Sequence, residues 1–100
     1  MSFNKLTPAE VERLALLAEE CAEVIQAVTK ILRHGYEGHN THNVPEFINR
    51  KMLEMELGHV MFALRFMRNN QDIDVLAVER AADEKAARIS RWLRHNEVTA

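Results

Sequence analysis

Glycine and proline are scarce in this 100-residue chain, which contains only Gly35, Gly38, Gly58, Pro8 and Pro45. Because these two residue types interrupt helices most strongly, the stretches between them are free to form long helices. Apolar residues recur in those stretches at alternating spacings of three and four, which is the period of an amphipathic α-helix. The chain is therefore predicted to be all-α.

The helix boundaries follow from capping patterns. Thr7, Pro8 and Glu10 form a capping-box pattern at the start of the first helix, and Gly35 can end that helix in a left-handed conformation. Pro45 suits the first turn of the next helix. These signals predict three long helices, over about residues 7–33, 45–68 and 72–95.

The first two helices each carry an apolar stripe, called here the main stripe. Its members are Leu14, Leu17, Cys21, Val24, Val28 and Ile31 in the first helix and Leu53, Leu57, Val60, Leu64 and Met67 in the second. We expect both main stripes to lie in the core, so that Cys21, the only cysteine, would be a buried thiol unable to form an intramolecular disulfide.

A second stripe runs beside each main stripe, and its central pair is polar. It consists of Leu16, Glu20, Glu23 and Ala27 in the first helix and of Met52, Glu56, His59, Ala63 and Phe66 in the second. Side chains three residues apart stand one above the other on a helix, so two such pairs can converge on a divalent cation. The alternative is that these carboxylates are solvated at the helix edges, with Arg or Lys partners.

The number of stripes predicts an oligomer. One small domain is expected from 100 residues, with tails at about 1–6 and 96–100. Two stripes on each of two helices are more than a three-helix hairpin covers. We therefore expect an antiparallel bundle completed by homo-oligomerisation, as a homodimer or homotetramer. Gly58, inside the second helix, suggests close approach by another helix or a ligand.

Charge and hydropathy exclude several classes of protein. The net charge of −2, from thirteen basic and fifteen acidic residues, favours neither nucleic acid nor an anionic membrane as a partner. A hydrophobic fraction of 47% is too high for a disordered chain. No apolar segment approaches the roughly 18 residues of a membrane span, and the first residues lack a signal-peptide pattern. A cytoplasmic location is expected.

Two acidic motifs resemble those of the MazG-like, all-α nucleoside triphosphate pyrophosphohydrolases. That superfamily carries Glu-Glu-x-x-Glu on one helix and Glu-Leu-Gly-Asp on the next, which are similar to residues 19–23 and 56–59 here. A later helix of the family has Asn or Asp two residues before Lys, as do Asp83 and Lys85, with Arg88 beyond. The resemblance covers about residues 10–92.

The resemblance implies hydrolysis of a nucleoside triphosphate, often a deoxynucleotide, to the monophosphate and pyrophosphate. The residues that it implies are Glu20, Glu23 and Glu56 for Mg²⁺ (with Mn²⁺ as an alternative ion), Glu19 or Glu20 for orienting or deprotonating the attacking water, and Asp83, Lys85 and Arg88 for binding the substrate. His59 is a fourth candidate ligand, with contact to a ligand instead of to the metal as the alternative.

One position departs from the family pattern, because His59 stands where the family has Asp. Imidazole is accepted more readily by Mn²⁺, Co²⁺ or Zn²⁺ than by Mg²⁺. The substitution leaves a second hypothesis open, that the chain is a non-catalytic helical binding or scaffold module with a degenerate metal site.

Overall fold

The computed structural model describes residues 3–38 and 48–98. Over these residues the secondary structure is helical, with no strand: α1 (Pro8–His34), α2 (Asn49–Asn69) and α3 (Val75–Ile89), followed by a short 3-10 helix at Ser90–Trp92. The prediction of an all-α chain is confirmed. Among the described residues, no helix combines the length and the apolar character needed to cross a membrane.

The chain divides into two compact units, residues 1–67 and 68–100. The first contains α1 and α2 up to Met67, and the second contains the last two residues of α2, α3 and the 3-10 helix. The single domain expected from the length of the chain stays a prediction.

Helix α1 starts at the predicted capping box. The Thr7 hydroxyl accepts from the Glu10 backbone N–H at 3.1 Å, and the Glu10 carboxylate accepts from the Thr7 backbone N–H at 2.8 Å. Gly35 ends the helix with a positive φ of 83°, but its ψ of 166° is extended and lies outside the left-handed helical region. This conformation is essentially restricted to glycine, which explains the residue type at that position.

The start of α2 is fixed by backbone carbonyls that follow α1. Gly38 and Tyr36 accept hydrogen bonds from the backbone N–H groups of Asn49 (2.9 Å) and Arg50 (2.8 Å), and the buried Asn49 side chain donates to the Gly35 carbonyl at 3.1 Å. We call this set of contacts the helix clamp. It supplies acceptors for N–H groups that the first turn of a helix leaves without intrahelical partners.

The clamp explains why α2 starts later than predicted. The predicted first residue, Pro45, lies outside the described residues, but Ile48 is described and is not helical. Arg50 reinforces the clamp, because it pairs with Glu37 at 2.8 Å and stacks over the Tyr36 ring at 4.4 Å. The local sequence could not reveal this start, because its acceptors come from residues 35–38.

Helices α1 and α2 form an antiparallel hairpin. Arg13 lies over the Phe66 ring, and seven residues further along α1 Glu20 contacts His59, which lies seven residues back along α2. Three residues further along α1 lies Glu23, and three residues further back along α2 lies Glu56, and these two side chains also interact. The constant step shows that the two helices run in opposite directions in one regular register.

The hairpin packs along the second stripes, which corrects the expectation that the main stripes form the core. Ala27 and Ala63 are buried in the second stripes, and Met67 is the one fully buried member of the main stripes among the described residues. Leu14, Cys21, Val28 and Leu57 of the main stripes are exposed. Two helices share a single line of contact, and the small alanines allow the closest approach along the second stripes.

One further expectation was wrong in the same way. The Cys21 thiol is exposed, because the side of α1 that carries it does not face α2. Gly58 is also exposed, and a methyl group added there would meet no atom of the described chain within 4 Å. No neighbour in the described chain therefore requires glycine at that position, and close approach by a ligand or by a helix of another chain stays a prediction.

Helix α3 is shorter than the predicted helix over residues 72–95. The Asp74 side chain, and not that of Asp72, caps it by accepting from the Leu76 backbone N–H at 3.0 Å. The α-helix ends at Ile89, and Leu93 is extended after the 3-10 turn. The helix is shorter at its start because Asp74 caps it in place of Asp72, and shorter at its end because its last turn is a 3-10 turn.

Candidate metal centre

Four side chains predicted as metal ligands come together at the middle of the hairpin. Glu20, Glu23, Glu56 and His59 each offer one ligand atom, and these atoms all lie within 4.8 Å of one another. The i, i+3 spacing places each pair on one helix face, and the antiparallel register sets the two pairs opposite each other. Both pairs lie on the faces by which the helices pack.

Two oxygens of this cluster have no hydrogen-bond partner. Glu20 Oε2 and Glu56 Oε2 are both buried, and neither accepts a hydrogen bond. His59 Nδ1 lies 3.4 Å from the first and 3.6 Å from the second. Buried polar atoms are normally paired, and leaving a carboxylate oxygen unpaired costs free energy. The two oxygens are therefore free to bind a cation between the two helices.

The pKa of Glu23 also indicates that the carboxylates of the cluster repel one another. The pKa of Glu23 is raised from its ordinary value of 4.5 by a hydrogen bond to Glu56, then by repulsion from the Glu56 carboxylate and by partial burial, against the opposing effect of His59. A raised carboxyl pKa means that the folded protein disfavours the charged form. The charges of the carboxylates are therefore not balanced by the surrounding side chains.

The donor set fits a hard divalent cation. Three carboxylates provide oxygen ligands of the kind that Mg²⁺ and Mn²⁺ prefer, and His59 adds one imidazole nitrogen. The carboxylates of Glu20 and Glu56 are about six-sevenths buried, whereas the His59 side chain is 49% exposed. The cluster is thus closed on its carboxylate side and open to solvent at His59, which leaves access for a ligand.

A pocket of about 240 Å³ adjoins the cluster on the clamp side. Glu23 and Glu56 belong to its wall, and the other lining residues are Gln26, Ala27, Lys30, Asn49 and Met52. Sequence reasoning missed the polar members of this wall. Helical spacing could have found them, because Gln26 and Lys30 follow Glu23 by three and seven residues, and Asn49 precedes Glu56 by seven.

The other predicted site residues lie outside this cluster. Glu19 is exposed on α1, next to Glu20. Asp83, Lys85 and Arg88 lie on α3, in the second unit, with exposed side chains. Their roles in catalysis and substrate binding stay predictions.

Comparison with known proteins gives one family match. The MazG nucleotide pyrophosphohydrolase domain matches residues 10–98, which is most of the chain and includes all four residues of the cluster. No significant match was found among curated proteins or among solved structures. By its sequence, its helical fold and the position of its acidic cluster, this chain belongs to the MazG nucleotide pyrophosphohydrolase domain family.

Proposed function

We propose that this chain is a metal-dependent nucleoside triphosphate pyrophosphohydrolase, which hydrolyses a ribo- or deoxyribonucleoside triphosphate to the monophosphate and pyrophosphate. The observation that carries the proposal is the four-residue cluster with two buried carboxylate oxygens that accept no hydrogen bond. Membership of the MazG family supports the reaction class.

Glu20, Glu23, Glu56 and His59 would hold the cation, which we propose to be Mg²⁺ or Mn²⁺. When bound, such an ion supplies positive charge for the phosphate oxygens and lowers the pKa of a coordinated water molecule. Because one ligand is an imidazole nitrogen, Mn²⁺ should support at least as much activity as Mg²⁺.

The reaction needs a base and a site for the phosphates. A water oxygen bonds to the α-phosphorus, the bond from that phosphorus to the bridging oxygen breaks, and pyrophosphate leaves with the electron pair. Glu19, exposed beside the cluster, would accept the proton of the water, and Glu20 would orient that water. Lys85 and Arg88 would neutralise phosphate oxygens, with Asp83 positioning them.

The pocket beside the cluster adds a second group of substrate contacts. Lys30 brings a positive charge close to the acidic pair, and Gln26 brings an amide that can donate or accept. The Asn49 amide nitrogen is engaged with the Gly35 carbonyl, so its orientation is fixed before any ligand arrives. We propose that this wall contacts the part of the nucleotide that is retained in the monophosphate.

A pyrophosphate-release screen tests the proposal. Ribo- and deoxyribonucleoside triphosphates, including modified bases, would be assayed with Mg²⁺ and with Mn²⁺. Glu56→Gln should lower kcat/KM by at least about a hundredfold, as removal of one preorganised electrostatic contact does. Glu54→Gln makes the same chemical change on an exposed position of α2 and should leave activity unchanged. If no triphosphate yields pyrophosphate with either ion, the proposal is wrong and the scaffold hypothesis replaces it.

Location, assembly and partners complete the proposal. We propose that the protein is cytoplasmic, works as a homodimer or homotetramer, takes a nucleotide as its substrate, and has neither nucleic acid nor membrane as a partner. Light scattering on the purified protein at micromolar concentration measures the number of chains in the assembly directly.

A further inference from the structure

The pocket beside the acidic cluster is built in three levels along the hairpin. Six of its lining residues pair across the two helices in the same register as the cluster, and the pairs are Glu23 with Glu56, Ala27 with Met52, and Lys30 with Asn49. The first pair and the last are seven residues apart in each helix, which is about 10 Å at 1.5 Å per residue. The pocket therefore runs from the acidic cluster, past a middle level, to a far end beside the helix clamp.

The middle level is apolar. Ala27 is buried and contributes a methyl group, and Met52 contributes a thioether. A phosphate at this level would lose hydration without gaining a hydrogen bond or a counter-charge. The phosphates of a bound nucleotide therefore belong at the acidic cluster with the cation. The far end is left for the part of the nucleotide most distant from the α-phosphorus, which is the base.

At the far end, the amide of Asn49 is held in one orientation. The residue is only 7% exposed, and its Nδ2 donates to the Gly35 carbonyl at 3.1 Å. Because a carbonyl oxygen only accepts hydrogen bonds, turning this amide over would set two oxygens against each other. A free asparagine can offer a ligand either end of its amide. Asn49 keeps its nitrogen on Gly35, and its oxygen, which accepts from no described residue, is the group left for a ligand.

Lys30 supplies a donor from the opposite helix. Its ammonium group carries three N–H donors and no acceptor. Within residues 3–38 and 48–98, no ion pair occupies it. The far end of the pocket thus combines a cationic donor on α1 with a fixed acceptor on α2.

We propose that Lys30 and Asn49 select triphosphates whose base carries a carbonyl beside a ring N–H, which describes uracil, thymine, guanine and hypoxanthine. The Lys30 ammonium donates to the carbonyl of the base, and the ring N–H donates to Asn49 Oδ1. Cytosine and adenine carry an amino donor beside a ring acceptor, so they set donor against donor at Lys30 and acceptor against acceptor at Asn49. This inference rests on the proposed function, because it takes the phosphates to lie at the acidic cluster.

Two pairs of nucleotides separate the hydrogen-bonding pattern from the size of the base. Uracil and cytosine differ only at the carbonyl and the adjacent ring nitrogen, and so do hypoxanthine and adenine. Calorimetry in Mn²⁺ with the α,β-imido analogues of the four deoxyribonucleoside triphosphates measures binding without hydrolysis. The uracil and hypoxanthine analogues should bind at least about a hundredfold more tightly than their counterparts, since two hydrogen bonds are each worth about tenfold. Equal affinities in either pair, or the opposite preference, would overturn the proposal.

Lys30→Met tests the donor. The substitution keeps the length of the side chain and removes its charge, so the preference for uracil over cytosine should fall by about tenfold. Lys51→Met makes the same change at an exposed position of α2 that does not line the pocket, and it should keep the wild-type preference. An undiminished preference in Lys30→Met would show that Lys30 does not read the base and would overturn its assignment.

Asn49 needs a measurement that distinguishes binding from folding, because its loss also weakens the helix clamp. In Asn49→Ala the ratio of the uracil and cytosine affinities should fall by about tenfold, at a temperature where circular dichroism shows full helix content. A residue that only held the fold together would lower both affinities alike. An unchanged ratio would therefore overturn the role proposed for Asn49.

The same reagents distinguish a failure of this inference from a failure of the proposed function. A preference among the imido analogues, with no pyrophosphate released from any triphosphate, would refute hydrolysis and support the selection of the base. Pyrophosphate release at equal kcat/KM from the four parent triphosphates would support hydrolysis and overturn the selection.

Discussion

Glu56→Gln should change the stability of the protein in opposite directions with and without metal. Glu56 supplies one of the two buried oxygens that accept no hydrogen bond, and its carboxylate lies within 4.8 Å of that of Glu20. Without a cation, removing its charge relieves repulsion. With a cation, the same change removes a ligand. The variant should therefore be more stable than the wild type in chelator and less stabilised by added metal.

The structure sets the size of both effects. Two unit charges 4.8 Å apart repel by about 0.9 kcal/mol in water and by about 3.5 kcal/mol at an effective dielectric constant of 20. Because the two oxygens are buried whereas the cluster opens to solvent at His59, the effect lies between these two values, and each 1 kcal/mol corresponds to about 4–8 °C in melting temperature for a domain of this size. At about 1,000 times the wild-type Kd, metal stabilises by about 4.1 kcal/mol, whereas a hundredfold weaker site keeps about 1.4 kcal/mol.

Thermal melts followed by circular dichroism measure both effects at one protein concentration, first in EDTA and then with Mn²⁺ or Mg²⁺. Glu54→Gln is the matched control, because it removes a carboxylate from an exposed position of the same helix, outside the cluster. Its melting temperatures should follow those of the wild type in both conditions. A Glu56→Gln variant that melts below the wild type in EDTA, or a wild type that gains nothing from either metal, would refute the reasoning.

Four other substitutions test the cluster, the clamp and the exposed glycine of α2. Because the pKa of Glu23 is raised above 4.5 in the folded protein, the stability that it contributes is present below that pH and is lost as the pH rises through the raised pKa. Urea titrations in EDTA should show this loss in the wild type and a smaller one in Glu23→Gln. His59→Asp should tighten Mg²⁺ binding by about tenfold or more in calorimetry, because it adds an oxygen ligand and a negative charge; unchanged affinity would place His59 outside the coordination sphere. Gly38→Ala should cost about 1–3 kcal/mol in urea denaturation, because the added methyl group would clash with the His34 carbonyl. Gly58→Ala should instead gain about 0.5–1 kcal/mol, because the space around it is open.

The helices and the pairing of the cluster residues on each helix could be predicted from the sequence because both depend on local spacing. Three-residue spacing within a helix determines that Glu20 and Glu23 share a face, whatever the rest of the fold does. The capping box of α1 is equally local, and it forms as predicted.

The packing face could not be predicted in the same way. The main stripe and the second stripe have the same period, and the more apolar of the two was the natural choice for the core. The structure instead joins the helices through Ala27 and Ala63, on either side of the acidic cluster. Main-stripe residues such as Cys21 are left exposed instead.

The start of α2 needed long-range information. Proline at position 45 is a reasonable local signal, but the acceptors for the first turn of α2 lie more than ten residues earlier in the chain. Helix α3 shows a simpler ambiguity, because Asp72 and Asp74 are both suitable caps and only the backbone geometry selects the second.

The helix clamp also bears on how sequences of this kind can vary at the connection between α1 and α2. It joins residues 35–38, which directly follow α1, to Asn49 and Arg50 at the start of α2. Insertions or deletions between positions 38 and 48 should therefore leave the four residues of the acidic cluster together. Chains with this clamp can vary that segment while the cluster is retained.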